Sequence, residues 1–136
     1  MAATFAVELE WEGELRFAAR AERAGMVLDS AGEAGPSPVQ ALALALAGCM
    51  AMDVVHILTK ARVPLGGVHA RLVAVRAAEE PRRLRKAALH FELRGDVPPD
   101  KVERALALSR EKYCSVWHSL RPDLELRTSY EVAPER

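Results

Sequence analysis

The chain contains two cysteines, and each stands among residues able to change what a thiol does. Cys49 lies within GPSPVQALALALAGCMAMDVVHILTKAR, residues 35–62, with Asp53 and His56 four and seven positions on. On a helix those three positions share a face, because each residue advances about 100°. Cys114 closes EKYC, with Arg110 and Lys112 just before it and His118 four residues after it. A thiolate is both a nucleophile and a metal ligand, and neighbouring cations lower its pKa. Three chemistries follow from these residue types. The cysteines could form a redox pair. Cys49, His56, Cys114 and His118 could hold a metal, although a Cys-x6-His spacing is unusual and no C-x2-C pair is present. Each cysteine could also be a small core residue, since free Cys is among the most buried residue types.

The segment around Cys49 has to be assigned first. ALALALA alternates with period two and by that pattern alone would be a strand. Its start argues otherwise: Ser37 is a good N-cap, Pro38 suits the first helical position, and Gln40 stands where a capping box takes Glu or Gln. No further Pro occurs up to Arg62, and Ala and Leu are strong helix formers. The expectation is a helix over about 38–61 that is apolar on nearly every face up to Asp53 and therefore buried all round. One thin sheet cannot wrap such a helix, so a second copy of the chain is expected to cover part of it.

The remaining elements frame that helix. FAVELEW (5–11), ELRFAAR (14–20) and AGMVLDS (24–30) are short alternating segments separated by turns, as in an antiparallel meander. AGEAGPSP is loop. GVHARLVAVRA (67–77) and LRKAALHFELRGD (84–96) predict a hairpin, with His69, Arg71 and Arg76 near one face or edge. Residues 99–114 place Val102, Leu106, Ser109 and Tyr113 at helical spacing, and DLELRTSYEV (123–132) closes as a strand. The order βββ-α-ββ-α-β defines an α+β fold, expected as one domain over residues 1–136 with antiparallel sheets.

Composition narrows the setting. Half of the 136 residues are hydrophobic, and 19 basic residues balance 19 acidic ones. A neutral chain without a block of like charge offers no electrostatic footprint for nucleic acid or an anionic membrane. MAATFAVELEWEG lacks a basic region followed by an uninterrupted apolar one, so no secretory signal is expected and a cytoplasmic setting is. A structural disulfide is not expected in that compartment.

Taken together, SPVQALALALAGCMAMDVVHILTKAR, then RKAALHFELRG, then ALALSREKYCSVWHSLRPDLELRTSYEV resemble in order the OsmC/Ohr family, thiol-dependent hydroperoxide reductases and their relatives. The resemblance covers roughly residues 36–132, rests on Cys49 eleven positions after Pro38 and Cys114 sixty-five positions later, and is nearest in pattern to the YhfA-like subgroup. It implies an intertwined homodimer around two central helices, with the active site at the subunit boundary. It further implies Cys49 as peroxidatic thiol, Cys114 as resolving thiol, no cofactor, a hydroperoxide substrate, and a small dithiol or lipoylated protein as external reductant. Leu42, Leu46, Val54 and Trp117 would then be apolar walls favouring organic hydroperoxides, or simply core.

One departure from the family pattern stands out. In the characterised peroxidases a Glu follows the helix-starting Pro and pairs with an activating Arg from the N-terminal strands, whereas this chain has Val39 with Gln40 beside it. Neither can hold an arginine by a charge-assisted bidentate bond. Arg16, Arg20 and Arg23 are the candidate activating arginines, Arg16 being nearest the first hairpin turn. A dimeric binding or structural protein that keeps the fold without the peroxidase activity is the alternative this departure supports.

Overall fold

The computed structural model describes residues 3–135. The chain divides into two compact units, the first ending at Leu42 and the second beginning at Ala43.

In the first unit, β1 (Val7–Gly13), β2 (Arg16–Ala21) and β3 (Ala24–Asp29) form an antiparallel meander in that order. Trp11 pairs with Phe17, and Phe17 with Leu28 across the next pair. The loop after β3 is organised by Asp29, whose carboxylate accepts the Ala31 and Ala34 N–H groups at 3.0 and 2.9 Å. Asp29 also donates its own N–H to the Pro36 carbonyl at 3.1 Å, which brings the chain to the start of helix α1 (Pro38–Lys60). That start is the expected reciprocal capping box. Gln40 N–H donates to Ser37 Oγ at 3.2 Å, and Ser37 N–H donates to Gln40 Oε1 at 2.9 Å.

The second unit holds the rest of α1 and everything after it. β4 (Gly67–Arg76) and β5 (Leu84–Arg94) pair antiparallel. Gly95, at φ +127°, ends β5 where an added Cβ would stand 2.5 Å from the Pro64 carbonyl oxygen, so only glycine fits. After helix α2 (Pro99–Leu108), a π-helical turn over Ser109–Tyr113 and a single turn α3 (Ser115–His118), β6 (Glu125–Ala133) completes a sheet of order β4-β5-β6. β6 runs parallel to β5, which corrects the expectation of purely antiparallel sheets. The physical reason is the helical crossover, which is long enough to return the chain to the end of the sheet where β5 began.

The core of this unit is one cluster. α1 contributes Leu46, Met50, Val54 and Leu58, an i, i+4 stripe, and β5 contributes Ala87, Leu89, Phe91 and Leu93 by alternation. Val102, Ala105 and Leu106 of α2 close it. Fully burying each large apolar side chain is worth about 1.5–3 kcal/mol. The expected all-round burial of α1 is not met within the chain: Met52 and Leu44 are 73 % and 61 % exposed. A single sheet layer covers one stripe of a helix, not its full circumference. By length and composition α1 could cross a membrane, but its stripe is packed into this core.

Helix α2 also departs from expectation. The spacing of Val102, Leu106, Ser109 and Tyr113 predicts one α-helix to residue 114, but the α-helix ends at Leu108. The Cys114 N–H then donates to the Ser109 carbonyl at 2.8 Å, an i to i+5 bond. The extra residue in that turn shifts the phase. Ser109 stays fully buried, Tyr113 swings out to 49 % exposed, and Cys114 takes the inward position.

Candidate functional site

Cys49 is held in the middle of α1, beside the buried stripe, and is partly exposed. Asp53 follows one turn later on the same face. Cys114, delivered by the π turn, is fully buried and caps α3, its Sγ accepting the Trp117 N–H at 3.3 Å. One sulfur from each cysteine and a carboxylate oxygen of Asp53 all lie within 4.8 Å of one another. Both cysteines are free thiols.

The carboxylate is oriented from behind. Ser109 Oγ–H donates to Asp53 Oδ2 at 2.8 Å, and Ser109 N–H is itself spent on the Ala105 and Leu106 carbonyls. Among the described residues of its own unit, Asp53 has no ion-pair partner. Ser109 belongs to the site through this bond, although its spacing marks it only as a core-facing residue of α2. Nothing local links positions 53 and 109, so the pairing has no sequence signal.

Burial pushes the Cys114 thiol up to about 11, against an ordinary 9.0. The Trp117 N–H pulls the other way, while the Cys49 thiol and the Asp53 charge add to the rise. The cations that flank Cys114 in sequence are used elsewhere. Arg110 donates to the Leu126 carbonyl at 2.7 Å and lies over the Trp117 ring, 5.3 Å from its centroid, and Lys112 lies over the Tyr113 ring. The two histidines of the Cys/His metal set do not join the sulfurs. His118 Nε2–H donates to the Arg110 carbonyl at 2.9 Å, and His56 lines a shallow apolar groove with Met52, Val55 and Val68.

The other sequence-derived candidates are placed as follows. Leu46 and Val54 are closed core residues, and Trp117 packs against that core. Leu42 is 39 % exposed. In the first unit, Arg16 faces Asp29, its Nε 3.5 Å from Asp29 Oδ2 in an ion pair whose geometry falls short of a hydrogen bond, and its NH2 group lies 3.6 Å from Glu14. Arg20 and Arg23 are exposed. Val39 presents no polar group, and the Gln40 side chain is occupied by the cap.

Comparison with known proteins places this geometry in a context. The sequence model of the OsmC-like protein family matches residues 30–129. Protein YhfA of Escherichia coli strain K12 is 35 % identical over 127 residues, spanning 91 % of this chain and 95 % of that protein. A hypothetical protein of Aquifex aeolicus VF5 superposes with a TM-score of 0.91 at 30 % identity over 99 % of this chain and 100 % of that one. The organic hydroperoxide resistance protein OhrB of Bacillus subtilis shares the fold, with a TM-score of 0.65 at 14 % identity over 95 % of this chain and 98 % of its own.

Proposed function

The chain belongs to the OsmC-like protein family, and from that premise we propose that it is a thiol-dependent reductase of organic hydroperoxides. The carrying observation is the gathering of a partly exposed Cys49 and a buried Cys114 within one 4.8 Å group. The fold shared with OhrB of Bacillus subtilis, an organic hydroperoxide resistance protein, supports the substrate class.

In this reading the Cys49 thiolate attacks the distal oxygen of ROOH, the O–O bond breaks, and the alkoxide leaves with a proton as ROH. Cys49 is left as a sulfenic acid. Cys114 sulfur then attacks the Cys49 sulfur, its proton and the hydroxyl leave as water, and a disulfide forms. An external dithiol, small or lipoylated, returns both thiols by exchange. Exposure fits these roles, because the attacking sulfur must meet substrate while the resolving one need only meet its partner. Free thiols of this kind suit a cytoplasmic setting. A homodimer belongs to the proposal as well, since Leu44, Met52 and Val55 leave one face of α1 apolar and open.

A second reading has its own observation. With Val39 apolar and Gln40 engaged in the helix cap, the first turn of α1 offers no carboxylate to position an arginine. That favours an OsmC-fold binding protein with feeble peroxidase activity.

Thiol titration of the reduced protein after a modest excess of cumene or tert-butyl hydroperoxide separates the two. Loss of two thiols per chain is expected, with Cys49→Ser stopping consumption and Cys114→Ser accumulating a sulfenic acid trapped by dimedone. Survival of both thiols removes the peroxidase reading and leaves the binding protein.

A further inference from the structure

We propose that Cys49, Asp53 and Cys114 form a binding site for a thiophilic divalent cation, zinc foremost, with Ser109 orienting the carboxylate. Two sulfurs and one carboxylate oxygen are three of the donors zinc favours, and here they come from two separate elements onto one point. In a tetrahedral zinc site with Zn–S near 2.3 Å, two sulfurs stand about 3.8 Å apart. A group already within 4.8 Å reaches that spacing by small side-chain rotations. Three donors leave a fourth position for water or a small ligand, the arrangement of an open zinc site.

The electrostatics point the same way. The Asp53 carboxylate, which accepts from the neutral Ser109 hydroxyl, lies beside two groups that become anions on deprotonation. Deprotonating either thiol beside that carboxylate without a counter-ion is unfavourable, whereas a bound divalent cation turns each of the three into a ligand. Ser109 Oγ–H donates to Asp53 Oδ2 and fixes the carboxylate while lone pairs remain for the cation, the outer-sphere bond that metal-bound carboxylates characteristically carry. Binding would release the two thiol protons to solvent. The site differs from the Cys/His set considered from sequence, which the fold does not assemble.

Anaerobic cobalt(II) titration of the reduced, chelator-stripped full chain tests the proposal. One equivalent per chain should give strong near-ultraviolet sulfur-to-cobalt charge transfer, and zinc should displace it. Cys49→Ser and Cys114→Ser should each remove about half of that absorption. Asp53→Asn, which keeps the shape and a bond to Ser109, should keep the absorption while weakening binding at least about tenfold, and Ser109→Ala should weaken it by about tenfold. The exposed cluster of His90, Glu92 and Glu131 on the second sheet is the internal control. His90→Ala should change nothing, and loss of cobalt binding in that variant would place the cation there and overturn the proposal. Absence of charge transfer, or a band indifferent to Cys114→Ser, also overturns it. If a cysteine variant misfolds, protection of Cys49 from iodoacetamide by zinc in the unaltered chain decides instead, and unprotected alkylation counts against the site. A chain that binds cobalt through both sulfurs yet ignores hydroperoxides keeps this site and loses the peroxidase reading.

Discussion

In β1, Val7, Leu9 and Trp11 occupy alternate positions just as Ala87, Leu89, Phe91 and Leu93 do in β5, but their surroundings differ. Phe91 is 0 % exposed beneath α1 and α2, while Leu9 on the first sheet is 55 % exposed. Alternation states which residues can face a core and not whether a second layer is present. An apolar sheet face gains its stability by packing against another element. The same contrast divides α1, whose Leu46–Leu58 stripe is packed while Leu44 and Met52 are bare.

Breaking the packed side should have the largest effect. Phe91→Ala is expected to cost about 3–5 kcal/mol in urea unfolding, whereas Leu9→Ala should cost well under that in dilute solution. Equal losses would show that the first sheet is covered in solution, and their concentration dependence would identify a second copy as the cover. Met52→Glu tests the bare face of α1 directly. If the proposed homodimer uses that face, the variant should leave the fold intact by circular dichroism while lowering the mass by light scattering to that of one chain, and an unchanged mass counts against the proposal.

The buried thiol offers a pH test of the packed side. With the Cys114 thiol raised to about 11 by burial, both folded and unfolded states are protonated at neutral pH, so it adds no pH dependence there. As pH rises through 9 and toward 11 the unfolded chain loses this proton first, so stability falls across that window. In Cys49→Ser, the midpoint of Cys114 alkylation should lie well above pH 9, and a midpoint at the ordinary 9.0 or below would mean that the thiol is not buried as described.

Smaller effects belong to the first unit. Ser37→Ala removes one half of the capping box and should cost about 1 kcal/mol in urea unfolding. The Ala34 and Ala31 N–H groups hold the Asp29 carboxyl below its ordinary 3.8, with Arg16 assisting. Its stabilisation is therefore present above that value and is lost as pH falls through the lower, folded one. Asp29→Asn should flatten the acid limb of the stability profile, and an unaltered limb would assign acid unfolding to other carboxyls.

Much of this was legible in the chain. Ser37 and Gln40 are three residues apart, and their reciprocal bonds depend only on local backbone geometry, so the helix start could be read against the strand-like ALALALA. The order of elements followed from period and punctuation in the same way. Tyr113 was misplaced because a helical repeat carried past Ser109 assumes 3.6 residues per turn, and the π turn does not keep it. The parallel run of β6 was hidden because a strand's alternation is the same in either direction.

Local chemistry along the chain therefore sets whatever depends on neighbours a turn apart: the cap, the helix that carries Cys49 and Asp53 on one face, and the alternation of β5. Long-range packing adds the rest: Cys114 arrives at that face buried, Ser109 reaches across to Asp53, and Arg110 turns instead to Trp117 and the Leu126 carbonyl. Those contacts join residues dozens of positions apart, and they exist only because an i to i+5 turn and the packing of α2 against the core bring the two stretches together.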